Sequence, residues 1–300
     1  MPCFVSASSQ ATVMNCGTIG SIRRHRIRMR AVRITGTVMM LLIMLTLKHH
    51  YSQATADQLD WILSPTARLV AWLTPARLTF ERGVGYVDFV QGIVVAPACA
   101  GVNFMIMAFG LAALCGLASI ARPAGVMVWP AVALGIAYGY TLPVNALRIG
   151  LSMVLYTSDM YGGWLTVQRV HRLTGIVLYL GALAILYTGL RSAFRAGCRC
   201  NPAQRMWRPV HLPGWLPPVW YGLGAVGVPS ANLLFRQRSA GFVEHCTTVL
   251  VTLGCLWGAM RLAVWLQRHT GRRRPNGSAM VRRRFSGFKR LKEMVRAAIV

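Results

Sequence analysis

Acidic side chains are nearly missing from this chain: seven Asp and Glu stand against 33 Lys and Arg in 300 residues. No paired carboxylates are set up for acid–base work, no glycine-rich run forms a P-loop, and no glycine fingerprint prepares a dinucleotide site. A disulfide framework and a zinc site are excluded as well. Of the eight cysteines, Cys198-Arg-Cys200 form a pair in a basic loop, with no second pair to complete four ligands. Cys3 and Cys16 precede the first apolar block, Cys115 and Cys255 lie inside such blocks, and Cys246 lies near the start of one. A small thiol buried there behaves as an apolar residue. The first thirty residues, polar and then basic, lack the small-residue exit site of a cleaved leader. Residues 1–20 read as an extension, with Met29 as an alternative start, and the basic run before Ile34–Leu47 reads as an uncleaved signal anchor.

What is abundant is apolar. The chain is 55% hydrophobic and only 13% charged, and its apolar residues fall in blocks near the length that crosses a hydrocarbon core. The expected fold is therefore all-α, a polytopic membrane helical bundle. Six spans are expected, at about residues 34–51, 100–120, 124–142, 173–190, 215–232 and 246–265, with an interfacial or re-entrant segment. Three regions follow: a basic extension over 1–33, a transmembrane domain over 34–265 and a basic tail over 266–300.

The formal charge of +26 would suit nucleic acid. Its distribution suits a membrane better, because arginines cluster at 23–33, at 191–208 and from Arg261 to Arg296, each beside an apolar block. This is the pattern of positive-inside topology, and it places both termini in the cytoplasm. The tail is suited to anionic lipid headgroups, so nucleic acid is not an expected partner. Arg236 and Arg238, in the last outer loop, are a small exception.

Between the first two spans lies an outer segment, 52–98, holding four of the seven acids: Asp57, Asp60, Glu81 and Asp88. Pro65–Thr74 has the apolar spacing of a helix on the interface. Pro97 divides a surface approach from the next span and leaves Cys99 at its outer end. The third span is expected to end near Pro143. A re-entrant or interfacial helix over 144–170 would then keep His171 outside and let the following arginines reach the cytoplasm.

Four positions carry candidate chemistry. Cys99 lies in Val94-Val-Ala-Pro-Ala-Cys-Ala-Gly-Val-Asn103 between small neighbours, where a helix start and a nearby cation would favour its thiolate. Asn145 and Arg148 are three apart and share a helix face. The arginine could snorkel to phosphate, fix a substrate carboxylate or stabilise an oxyanion. His171 could give a proton to a leaving amine and take one from an incoming nucleophile, with Asp159 as an orienting acid. A heme would need histidines opposed at one depth, whereas His49, His50, His211 and His245 are scattered near helix ends. No cofactor or metal is expected.

At these positions the chain resembles the exosortase/archaeosortase family of membrane cysteine transpeptidases, most closely the exosortase K group. Phe80-Glu-Arg-Gly-Val-Gly-Tyr86 and Pro97-Ala-Cys-Ala-Gly-Val-Asn-Phe104 resemble its approach and cysteine motifs. Asn145-Ala-Leu-Arg148 resembles its asparagine–arginine motif, and His171-Arg-Leu-Thr-Gly175, with Tyr179 after it, its histidine motif. Trp220-Tyr221, Pro229 and Gly241-Phe-Val-Glu-His245 are also similar, so that the likeness covers about residues 35–255. The resemblance implies a nucleophile at Cys99, a positioning or transition-state cation at Arg148 and a general acid/base at His171. Asn103, Asn145 and Glu81 would bind substrate or support the site, and Glu244 would be structural. It also implies cleavage of C-terminal sorting signals on membrane-anchored proteins, through a thioester, on the outer face of a bacterial inner membrane. Transfer to a lipid-linked or glycan acceptor, or hydrolysis, would follow. Two other classes compete: a transporter, for which Gly181, Gly222, Gly224, Gly227 and Pro229 could interrupt or closely pack helices, and a non-enzymatic membrane scaffold.

Overall fold

A computed structural model describes residues 9–156, 161–163, 166–200, 213–236 and 242–271. Among the described residues, seven α-helices carry the fold: α1 (Ser9–Gln53), α2 (Asp60–Leu73), α3 (Val102–Ser119), α4 (Pro123–Tyr156), α5 (Val167–Cys200), α6 (Leu216–Arg236) and α7 (Phe242–Gly271). Among the described residues, four helical stretches are long and apolar enough to cross a membrane: Arg26–Gln53, Pro97–Ser119, Pro123–Tyr156 and Arg169–Gly197. These coincide with the first four expected spans. The last two expected spans fall on α6 and α7, where the described residues include a shorter apolar stretch, Cys246–Leu256. The chain divides into two compact units, one ending at Leu253 and one beginning at Gly254.

The middle of the first unit is α3, apolar all round and buried along nearly its whole length. Lipid tails offer no hydrophobic drive between helices, so close packing must come from small residues and polar contacts. Gly116 leaves room for the Trp129 indole of α4, whose Nε1–H donates to the Ala112 carbonyl at 3.0 Å. Gly110 does the same for Trp220 of α6, which donates to the Met107 carbonyl at 2.9 Å. α1 runs antiparallel to α3. Its Gly36 nests against Leu117 and Val126, and Arg33 donates to the Ala118 and Ile120 carbonyls at the C-terminal end of α3, where a cation complements the helix dipole. At the other end of the pair, Lys48 meets Asn103. The opposite face of α1 exposes Ile34, Val38, Leu41, Leu42 and Leu45, as a lipid-facing helix should.

Two expectations change. The third span does not end at Pro143: α4 is one helix of 34 residues, with Pro130 and Pro143 inside it, so residues 144–156 continue the span and form no separate re-entrant helix. A proline removes one intrahelical hydrogen bond, which a packed membrane helix tolerates, and the segment beyond Pro143 buries Val144, Asn145, Ala146, Ile149 and Ser152. The outer helix likewise begins at Asp60 rather than Pro65. Pro65 has no N–H for the Trp61 carbonyl, and the Tyr138 hydroxyl of α4 donates to that oxygen instead, at 2.9 Å, beneath a Trp61–Tyr138 ring stack.

The outer segment also holds a small antiparallel sheet, absent from the all-α expectation, of β1 (Thr79–Glu81), β2 (Gly85–Asp88) and β3 (Ile93–Val95). Phe80 pairs with Tyr86, and Val87 with Val94. Asp88 closes it: its carboxylate accepts from the backbone N–H groups of Arg77, Val90 and Gln91. Those donors, Arg77 first, hold its pKa below the usual carboxylate value. The Tyr86 hydroxyl donates to Asp60 at 2.8 Å and ties the sheet to α2. β3 then delivers the chain to Cys99.

Candidate active site

Cys99 ends a single 3₁₀ turn, Pro97–Cys99, and lies just before α3. Gly101 reverses the chain between them in the left-handed region (φ +77°). The turn is fixed by backbone bonds from Cys99 N–H to Ala96 and from Ala100 N–H to Pro97. The thiol is partly exposed, is not in a disulfide and makes no hydrogen bond among the described residues.

The backbone of Cys99, rather than its thiol, is tied to the rest of the site. Asn145 of α4, fully buried, donates through Nδ2 to the Cys99 carbonyl at 2.6 Å. The Tyr179 hydroxyl of α5 donates to Asn145 Oδ1 at 2.9 Å, and in turn accepts from Arg148 Nη1 at 3.3 Å. Arg148 Nη2 lies 2.9 Å from His171 Nε2, and His171 Nδ1 lies 3.1 Å from Ser152 Oγ. One polar chain thus runs from the cysteine turn to the histidine.

Helical spacing explains it. Asn145, Arg148 and Ser152 are three and four apart on one stripe of α4, while His171, Gly175 and Tyr179 are four apart on one stripe of α5. The two helices are antiparallel, so Ser152 meets His171 and Asn145 meets Tyr179. Gly175 makes the room between them, because a Cβ there would sit 3.1 Å from Arg148 Nε. The guanidinium also lies over the Tyr179 ring, 5.2 Å from its centroid, and Phe104 of α3 stacks on that ring at 4.5 Å. Arg148 Nε is buried with no hydrogen-bond acceptor among the described residues.

Arginine has no acceptor, so His171 Nε2 must accept from Arg148. In the neutral ring the proton is then on Nδ1, donated to Ser152.

The structure therefore gathers Cys99, Asn145, Arg148 and His171. It does not place Asn103 in that chain: its Oδ1 accepts from Lys48 Nζ at 3.0 Å. Lys48 lies over the Tyr51 ring, and the Tyr51 hydroxyl donates to the Pro97 carbonyl, so Asn103 supports the cysteine turn through α1. Glu81 is exposed on β1 and bonds to none of these groups. Glu244 forms ion pairs with Arg169 and Arg172, the latter at 3.6 Å. Asp159 lies outside the described residues. Ser152 and the roles of Gly175 and Tyr179 do not follow from the sequence motifs, although Ser152 stands four residues from Arg148, and Gly175 and Tyr179 four and eight from His171. Among the described residues no three His, Cys, Asp or Glu side chains gather to hold a metal.

Within the site, Gly101 is packed more closely than Gly175. A Cβ there would lie 2.8 Å from Asn145 Cγ, on a backbone that L side chains rarely adopt. Gly101→Ala is expected to displace the Asn145 amide from the Cys99 carbonyl and to lower the melting temperature of the detergent-purified protein. The combined strain and crowding amount to about 2–4 kcal/mol. An unchanged melting temperature would show that the turn yields freely.

The fold and site define a polytopic helical membrane protein with a free cysteine, an arginine and a histidine brought to one end of its bundle. Residues 19–188 match the family model described as Transmembrane exosortase (Exosortase_EpsH). The chain belongs to the transmembrane exosortase family. That membership supports a sorting-related enzymatic role in a membrane, of the cysteine transpeptidase kind. No curated protein and no solved structure matches the chain.

Proposed function

We propose that this protein is a membrane cysteine endopeptidase or transpeptidase that removes C-terminal sorting signals from exported, membrane-anchored proteins. One observation carries the reading: the Cys99 turn, Asn145, Arg148 and His171 form one connected assembly at the end of the bundle opposite Arg33 and Arg122, which lie where α3 ends and α4 begins. With those arginines in the cytoplasm, the assembly opens on the outer face of the inner membrane and both termini lie inside. The likeness of the approach, cysteine, asparagine–arginine and histidine motifs supports placement in the exosortase K group.

The Cys99 thiolate attacks the scissile carbonyl, and a C–S bond forms. Arg148 stabilises the oxyanion through the N–H groups of its guanidinium. The C–N bond then breaks, the amine leaves with a proton from His171, and a thioester remains on Cys99. Water, or a hydroxyl or amine of a lipid-linked or glycan acceptor, attacks that thioester and gives a proton to His171; the C–S bond breaks and the Cys99 thiolate is released. At rest Arg148 occupies His171 Nε2. A substrate oxygen that draws Arg148 away frees this nitrogen to take the thiol proton. The substrate is anchored in the same bilayer, so docking is lateral and part of its orientation is supplied in advance. The basic tail, 266–300, sets topology and contacts anionic lipid.

Co-expression with a reporter carrying a short motif, a transmembrane helix and a basic tail tests the reading. A covalent enzyme–reporter adduct is expected, released by neutral hydroxylamine and absent when Cys99 is blocked. Cleavage with an adduct that survives hydroxylamine would rule out a thioester.

A further inference from the structure

We infer that Ser152 is a positioning residue for His171, resting on the reading of His171 as the acid/base. Its hydroxyl lies 3.1 Å from Nδ1 and the side chain is buried, with 6% of the residue exposed. A hydroxyl can donate or accept, but here the choice is forced from the far side of the ring. Arg148 can only donate, so Nε2 is the acceptor, and Nδ1–H donates to Ser152 Oγ. Ser152 and Arg148 together hold the tautomer in which Nε2 is the basic nitrogen. When Nε2 takes a proton from the thiol, charge develops on the ring and the Nδ1–H···Oγ bond strengthens.

This is the task a carboxylate or amide performs beside the histidine of other nucleophile–histidine pairs. Placement supports the assignment. Ser152 is one turn beyond Arg148 on the same stripe of α4, so a single rigid helix positions both partners of the imidazole, one at each nitrogen. A serine turned to lipid or bonded only to its own helix would do neither.

Two measurements test it. In protein labelled with ¹⁵N-histidine and assigned with His171→Gln, the wild-type His171 is expected to show a bare Nε2 and a protonated Nδ1. In Ser152→Ala that fixed pattern should be lost to exchange between tautomers or ring orientations. On a tail-anchored reporter that the wild type cleaves, Ser152→Ala should lower kcat roughly 10- to 100-fold, the worth of a hydrogen bond to a group that becomes charged. KM should stay within about threefold. Ser152→Thr, which keeps the hydroxyl, should recover most of the rate. Unchanged His171 resonances in Ser152→Ala, or a kcat within twofold of wild type, would overturn the assignment. So would a Thr variant no better than Ala. An active Cys99→Ala would instead overturn the parent reading, so the two failures are distinguishable.

Discussion

Cys99→Ala is expected to abolish reporter cleavage, by about 10⁴-fold or more if the cysteine is the covalent nucleophile. The loss should be chemical rather than structural. The thiol is partly exposed and makes no hydrogen bond among the described residues, and the contacts that hold its turn run through backbone atoms that alanine retains. The variant should therefore accumulate in membranes at the wild-type level and elute unchanged on size exclusion. Cys99→Ser should be nearly as inactive, since a hydroxyl offers far less anionic nucleophile than a thiol near neutral pH. Immunoblotting of the reporter for loss of its tail checks both. Processing at the wild-type rate by the Ala variant would sink the nucleophile.

Arg148→Ala is expected to lower cleavage by about 10²- to 10³-fold through loss of an oxyanion donor. Further loss should come from structure, because Arg148 serves three groups at once. Its removal leaves His171 Nε2 and the Tyr179 hydroxyl without their donor, and empties the space over the Tyr179 ring that Gly175 keeps open. Arg148→Lys separates charge from geometry, since lysine keeps the cation but has no planar fork to address two acceptors. It should restore accumulation more than activity. A lysine variant with full activity would reduce Arg148 to a simple charge.

The transmembrane core was readable because its signals are local. Apolar blocks near the span length mark α1, α3, α4 and α5, and the arginines beside them mark their ends. The site was readable in part. Cys99, Asn145, Arg148 and His171 stand out as polar residues at the edges of apolar runs. Their connection depends on α4 and α5 lying antiparallel in register, which no single segment encodes, so Ser152 reads as an ordinary helix residue and Gly175 as a motif position without a task. Two prolines misled in the same way. Pro143 reads as a stop and Pro65 as a start, although α4 runs through the first and α2 through the second; the Trp61 carbonyl that Pro65 cannot serve is met by Tyr138, 77 residues further along the chain. The sheet escaped for a different reason: strands of three or four residues are too short for alternation to register.

The unbroken length of α4 bears on where a substrate can be cut. A 34-residue helix is about 51 Å long, against roughly 30 Å of hydrocarbon. Arg148 stands roughly 25 residues past Pro123, about 37 Å along the axis. On the proposed topology, with Pro123 at the inner boundary, the helix would act as a ruler that holds the reacting groups at headgroup depth, above the oily layer and below open water. On the proposed function, a substrate helix standing alongside would be gauged by its own hydrophobic length, and the bond presented to Cys99 would fall within a few residues of where that helix leaves the lipid. Lengthening or shortening the reporter's helix should therefore move the cleaved bond along its sequence.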